Sequence, residues 1–217
     1  MPRARCNVCC NAVMSCICKW TSPIFNQTNI VLLQHSDEVK KPLGTAKIVS
    51  LCLQNALVKV GVDFSTDVDF DRLMNFPNQN LAMLYPSESA LELHSWRNRK
   101  PDTEEEKQTE TVPKTLIVLD GTWRNTREIM NVNPALKNLP AVKLTPTIQS
   151  NYRIRKAPFA DSLSTVEAVS QALNILEPET SVDAMSLSFQ HMIDYQINRM
   201  GEDVYLRNYV QPPSLQD

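Results

Sequence analysis

The segment LIVLDGTWRN, residues 116–125, sets a carboxylate, a glycine, a hydroxyl and an indole directly after a run of apolar residues. If that run is a buried strand, Asp120, Gly121, Thr122 and Trp123 stand at its carboxyl end. In open α/β sheets that edge is where ligands bind. Asp120 is then placed to orient a donor or to accept a proton, although a carboxylate is a poor base unless desolvation raises its pKa. Gly121 allows a tight turn and close approach of the backbone to a ligand. Trp123 offers a flat apolar face and one N–H donor. The same letters also fit a plain Asp-Gly-Thr turn that caps a helix, and the segment alone does not separate the two.

A second cluster suits a metal. Cys6, Cys9, Cys10, Cys16 and Cys18 crowd one short stretch, with the spacing C-x2-C-x6-C-x-C once Cys10 is set aside. The N-terminus, MPRARCNVCC, has no apolar h-region of a secretory signal. A reducing, cytoplasmic compartment is therefore expected, and disulfides are not. Two close pairs of thiolates can close a tetrahedral Zn²⁺ site, and four leave no open position for catalysis. Cys6, Cys9, Cys16 and Cys18 are read as ligands of a structural zinc, with Cys10 able to replace Cys9. A cluster of redox-active thiols is the alternative. Cys52 is read as a small core residue on an apolar helix face.

The elements that must hold these groups can be read from hydrophobic spacing. Residues 1–28 form a cysteine module and residues 29–217 a larger domain. Buried strands are expected at 29–35, 81–85, 114–119 and 141–145. Val49, Cys52, Leu53, Ala56, Leu57 and Val60 recur at helical spacing, and Gly61 comes next as a stop. Residues 62–80 read as polar and turn-rich. Ser87 is a candidate cap for a helix reaching Trp96. Residues 97–113 read as an exposed loop. A helix is expected from Thr122 to Asn131. Ser164 and Glu167 fit a capping box opening a further helix that buries Val169, Ala172, Leu173 and Leu176. A last helix is expected from Val182 to Arg199. Alternating strands and helices predict an α/β fold, a mostly parallel sheet with helices on both faces.

Composition narrows the function. Apolar residues are 42% and charged residues 21% of 217, an ordinary globular balance. No stretch nears the roughly 20 apolar residues of a membrane span. The four glycines form neither GxGxxG nor GxxxxGK, so any nucleotide-like ligand needs another cradle. A net charge of −2 argues against a purely electrostatic nucleic-acid binder. Even so, Asp120 to Ala160 is strongly basic, so one face can be cationic. Arg153, Arg155 and Lys156, with Arg124 and Arg127, could form such a face, and Tyr152 can stack on a base. One arginine can instead hold a carboxylate. A mixed solvated surface is the alternative.

Eight segments in order then carry a family resemblance. They are the cysteines at 6–18, QHSDE at 34–38, GTAKI at 44–48, LYPSE at 84–88, LIVLDGTW at 116–123, LP at 139–140, YRIRK at 152–156 and LSTVEA at 163–168. Together they make most of the chain similar to the DTW-domain family, the tRNA-uridine aminocarboxypropyltransferases. Ser36, where such proteins often carry proline, and the extra Cys10 depart from the pattern.

The resemblance implies kinship to the SPOUT superfamily, with a C-terminal trefoil knot and S-adenosylmethionine bound without a glycine-rich loop. Residues 29–217 would then be the catalytic domain that binds this donor. The resemblance also implies transfer of the 3-amino-3-carboxypropyl group to N3 of a uridine in tRNA, with methylthioadenosine released. The short chain and cysteine module resemble the bacterial branch, which acts at position 47 of the variable loop; other members act in the D-loop. Asp120 and Trp123 become the candidate catalytic residues. Leu84, Tyr85, Pro86 and Ser87, then Gly121 and Thr122, then Ser164, Thr165 and Glu167 become the candidate cofactor segments. Arg124, Arg127, Tyr152, Arg153, Arg155 and Lys156 become the candidate tRNA contacts. Thr45 meets the substrate or caps a helix. His35 and Glu38 match the family without a role. The C-terminal helix, with Met185, Phe189, Met192, Ile193 and Ile197, packs the core or forms a dimer face, so monomer and homodimer both fit. A SPOUT-like RNA methyltransferase and a non-catalytic zinc-bearing RNA-binding module are the competing readings.

Overall fold

Two strands that are apolar on both faces organise the molecule. NIVLLQ forms β1 (Asn29–Gln34) and TLIVLD forms β5 (Thr115–Asp120), paired in parallel. Continuous apolar runs of this kind belong at the centre of a parallel sheet covered on both sides. The computed structural model describes residues 4–41, 44–75, 80–98, 114–145, 150–155 and 162–210. Within them the sheet has six strands in the order β2-β1-β5-β3-β6-β4, every pairing parallel. The other strands are β2 (Ala56–Val60), β3 (Leu81–Leu84), β4 (Leu91–Glu92) and β6 (Ala141–Lys143).

The side-chain alternation of the central strands sorts the core into two layers. Ile30, Leu32, Leu116, Val118 and Ala82 face one layer. That layer is filled by α1 (Ala46–Cys52), the α3 helix (Leu93–Arg97), α5 (Thr165–Leu176) and α6 (Asp183–Met200). Val31, Leu33, Ile117, Leu119 and Met83 face the other. It is covered by α2 (Val68–Asn75), α4 (Trp123–Val132) and the short turn Pro134–Asn138. Helices therefore lie on both faces, as expected. After α6, Gly201 takes a φ of 87°, and a short α7 (Glu202–Tyr205) comes next.

Three expectations are corrected. The periodic stretch from Val49 to Val60 is not one helix. α1 ends at Cys52, and Ala56–Val60 is the edge strand β2 beside β1. The break comes from a contact across the chain: Asn55 N–H donates to Asn26 Oδ1 and Asn26 Nδ2 donates to the Asn55 carbonyl, both at 3.1 Å. Residues 62–80 are not all turns, because α2 lies there and buries Phe70 against Phe64. Ser87 does not cap a helix. It is half-buried with its hydroxyl near that of Ser89, β4 intervenes, and α3 starts only at Leu93. Most of the 97–113 loop, from residue 99 onward, lies outside the described residues.

The cysteine module is built from an Arg5–Ala12 bridge and the short turns Val13–Ser15 and Cys18–Trp20. It shares the core of the larger layer. Cys9, Ile17 and Ile24 are buried in the same apolar cluster as α1 and α6. Ser188 of α6 donates to the Trp20 carbonyl at 2.7 Å.

Candidate active site and candidate metal centre

Because every strand runs the same way, their carboxyl ends gather on one edge. A cleft of about 950 Å³ opens there, at the upper end of the size of small-molecule sites. The central strands each contribute to its lining at their carboxyl ends: Glu38, Lys41, Gly44 and Thr45 after β1, residues 84–86 at the end of β3, residues 120–123 at the end of β5, and Lys143 with Leu144 at β6. Residues 162–165, which open α5, and Tyr152, Ile154 and Arg155 complete it.

Asp120 sits at the centre and is 6% exposed. Gln34, its register neighbour on β1, donates from Nε2 to Oδ2 at 2.8 Å. The Thr165 hydroxyl donates to Oδ1. Both carboxylate oxygens therefore have internal donors, and the end of β5 is tied to the start of α5. Burial pushes the Asp120 carboxyl above its usual range, and these two hydrogen bonds pull the other way. Gly121 is required by space: a Cβ there would lie 2.9 Å from Asn125 Cβ. Thr122 caps α4, accepting from the Asn125 N–H at 3.2 Å. Trp123 is the first residue of α4 and is exposed in the cleft.

Of the other expected cofactor residues, Leu84, Tyr85, Pro86, Ser164 and Thr165 line the cleft. The capping box is present: Ser164 caps α5, and its N–H donates to Glu167 Oε2 at 2.8 Å. Glu167 does more than cap. Its Oε1 accepts from the Asn151 N–H at 2.7 Å, and both oxygens accept from Ser150 Oγ. That carboxylate is spent within the protein, pinning the segment before Tyr152 onto α5. Ser87 is outside the lining described.

The basic residues are only partly gathered. Arg155 reaches the cleft and donates to the Leu163 carbonyl at 3.0 Å. Arg153 pairs with Asp194 of α6. Arg124 and Arg127 lie on the exposed side of α4, where Arg127 Nε donates to the Trp123 carbonyl. Lys156 lies outside the described residues. Tyr152 packs edge-on against Phe189 with ring centroids 5.1 Å apart, and burial raises its phenol to about 12.

QHSDE, which had no role in the sequence, folds as a bracket beside Asp120. His35 is 4% exposed, and its N–H donates to the Asp120 carbonyl at 2.9 Å. Its Nδ1 accepts from the Asp37 N–H at 3.1 Å, which caps the turn Ser36–Glu38. A neutral ring then carries its proton on Nε2, which lies 3.5 Å from a Glu128 carboxylate oxygen without hydrogen bonding to it. The turn brings Glu38 into the cleft. Glu38 Oε1 accepts from Lys41 Nζ at 2.6 Å and from Asn125 Nδ2 at 3.2 Å. The motif reading gave no role to Gln34, Lys41 or Asn125, although Gln34 opens QHSDE and Asn125 closes LIVLDGTWRN.

The four cysteines Cys6, Cys9, Cys16 and Cys18 bring their sulfurs within 4.8 Å of one another. Cys6 and Cys18 are 3.7 Å apart, as are Cys9 and Cys16. A tetrahedron with Zn–S bonds of about 2.3 Å has S···S edges of about 3.8 Å, so the residues fit that ion. A disulfide needs about 2 Å. The backbone N–H groups of Cys9 and Val8 lower the Cys6 thiol to about 6, as at a thiolate site, while burial raises Cys18 to about 12. Cys10 stays outside this cluster, exposed and in the left-handed region at φ 58°. Among the described residues, Cys9 rather than Cys10 belongs to the set.

Comparison with known proteins gives the class to which this fold and site belong. The model of the DTW domain matches residues 3–197, so the chain belongs to the DTW-domain family. Three relatives share the name tRNA-uridine aminocarboxypropyltransferase 2. The protein from Macaca fascicularis is 29% identical over 97% of this chain and 72% of its own length. That from Mus musculus is 28% identical over 97% and 71%. That from Drosophila melanogaster is 34% identical over 81% and 67%. No solved structure matches.

Proposed function

We propose that this protein is a tRNA-uridine aminocarboxypropyltransferase, moving the 3-amino-3-carboxypropyl group of S-adenosylmethionine to N3 of a uridine in tRNA. The observation that carries the reading is the DGTW segment. It lies at the carboxyl end of a central parallel strand, inside a large cleft, in a chain whose relatives are named tRNA-uridine aminocarboxypropyltransferase 2. The sulfonium donor supplies three activated carbons, because sulfur leaves as a neutral thioether. What the protein must supply is aim and exclusion.

The apolar walls of the cleft, Leu84, Val118, Leu119, Leu144 and Ile154, suit the adenosine and the methyl group. Trp123 is assigned to the methionine side, where its face shields the methyl and leaves the γ-methylene presented. Thr122 and Ser164 mark two helix starts on the cleft, where free N–H groups favour a carboxylate. Arg155 stands near the second. Asp120, with both oxygens held, acts in this reading as an orienter that fixes α5 against β5. Tyr152 and Arg155 take the tRNA side with Arg124, Arg127, Arg153 and Lys156. Zinc on Cys6, Cys9, Cys16 and Cys18 is structural and takes no part in the transfer.

Kinship to the SPOUT enzymes, the C-terminal knot and position 47 belong to the same reading. They rest on the family resemblance, on a parallel sheet in a chain with no GxGxxG or GxxxxGK motif, and on the cysteine module.

The test uses purified protein, unmodified bulk tRNA, and S-adenosylmethionine labelled separately in the carboxyl and methyl carbons. Carboxyl label in tRNA with methylthioadenosine released is the expected result, and mapping the labelled nucleotide tests position 47. Methyl label in tRNA would make the protein an RNA methyltransferase instead. Label from neither, with no donor binding, would leave only an RNA-binding module.

A further inference from the structure

We infer that Glu38 is the general base of the reaction, taking the proton from uridine N3; the inference rests on the transferase reading above. The transfer needs a group with an uncommitted acceptor facing the substrate. Asp120 offers less: each of its oxygens already holds an internal donor, from Gln34 and Thr165, and the residue is only 6% exposed. Glu38 lines the same cleft, its side chain only 12% accessible. Lys41 and Asn125 both bind Oε1. Among the described residues Oε2 accepts no hydrogen bond. One oxygen is thus anchored and the other uncommitted, on a side chain that lines the cleft, the arrangement a positioned base requires.

The surrounding structure is consistent with this use. The His35 ring caps the turn that carries Glu38, and the Glu38 N–H donates to the His35 carbonyl at 2.9 Å. His35 in turn is fixed to the end of β5 through the Asp120 carbonyl. The base and DGTW are therefore locked to each other through backbone, which holds their separation constant. Asn125 reaches Glu38 from the first turn of α4, the helix that presents Trp123. His35 is a positioning residue in this scheme, acting through Glu38 rather than on the substrate.

The step balances. Glu38 removes the N3 proton, and the freed pair on N3 attacks the γ-carbon of the sulfonium donor. The N–C bond forms as the C–S bond breaks, and its electron pair stays on sulfur as a neutral thioether. The proton leaves Glu38 for water at the cleft mouth, so each turnover releases one proton.

The experiment is single-turnover transfer of carboxyl label to unmodified tRNA at saturating donor and tRNA, with donor affinity measured separately by equilibrium dialysis. Glu38→Gln keeps the length and the anchor to Lys41 but cannot accept a proton. It is expected to slow transfer about 100-fold or more while donor affinity stays within about twofold. Glu38→Asp retains a carboxylate, drawn back by one methylene, and is expected to transfer at least about tenfold faster than Glu38→Gln. Transfer by Glu38→Gln within about threefold of wild type would overturn the inference. Equal rates in the two variants would do the same, as would a loss that saturating donor restores, which assigns Glu38 to donor binding. An inactive wild-type protein is seen before any variant is compared, and it overturns the transferase reading itself.

Discussion

Asp120 carries two opposed demands. Its carboxylate ties β5 to α5, yet burial holds its proton more tightly in the folded chain than in the unfolded one. A group with a raised folded pKa favours folding in acid, and that contribution is lost as pH rises from about 3.9 through the folded value. At neutral pH the ionised, buried side chain costs stability. Asp120→Asn is therefore expected to melt higher than wild type at pH 7, by about 2–4 °C for each kcal/mol relieved. Its advantage should shrink towards pH 4. Thr165 can accept as well as donate, so the new amide keeps both partners. Transfer activity should still fall, because the amide cannot orient donors as the carboxylate does. Thermal melts across pH check this, and a lower midpoint at pH 7 refutes it. Cys10 makes the opposite kind of test. A non-glycine residue at φ 58° bears a cost of about 1–2 kcal/mol. Cys10→Gly should raise the melting point while metal content is unchanged; lost metal would instead place Cys10 among the ligands.

At the level of elements, the sequence was most legible where the determinants are local. β1 and β5 announce themselves as unbroken apolar runs, and the Ser164–Glu167 box is visible in four letters. Where the determinant lies far along the chain, the pattern misleads. Val49 to Val60 keeps helical spacing, yet the Asn26–Asn55 pairing breaks it into α1 and β2. No window around residue 55 contains residue 26. The site divides in the same way. Asp120, Gly121, Thr122 and Trp123 are consecutive and were found, whereas Gln34 and Lys41 meet them only through sheet register and a turn. Glu167 shows an element-scale role that exceeds its motif. Ser164→Ala removes one cap and should cost about 1 kcal/mol. Glu167→Ala also frees Ser150 and the Asn151 N–H, so it should cost more and unpin the segment leading to Tyr152. Hydrogen exchange separates the two: the Asn151 amide should lose protection in Glu167→Ala and keep it in Ser164→Ala. Equal protection in both variants would restrict Glu167 to the capping box.

For the whole molecule, the open question is whether the cysteine module is an appendage or part of the fold. Residues 1–28 have too few apolar side chains for a core of their own, and the structure shows how that is offset. Cys9, Ile17 and Ile24 enter the layer made by α1 and α6, and Ser188 holds the Trp20 carbonyl. Lys47 of α1 donates to Asn11 at 2.9 Å, two residues from Thr45 in the cleft wall. A metal that ties the module therefore also braces the helix that leads into the site. Chelation, or Cys16→Ser, should lower a single cooperative unfolding transition, by about 2–4 °C for each kcal/mol lost. It should also weaken transfer, although no ligand cysteine touches the cleft. A separate early transition, with the main midpoint and the activity unmoved, would show instead that residues 1–28 fold as an independent unit. Calorimetry of metal-loaded and chelated protein, with metal content measured in parallel, distinguishes these outcomes, because only a shared core transmits the loss of four sulfur ligands to a cleft that none of them lines.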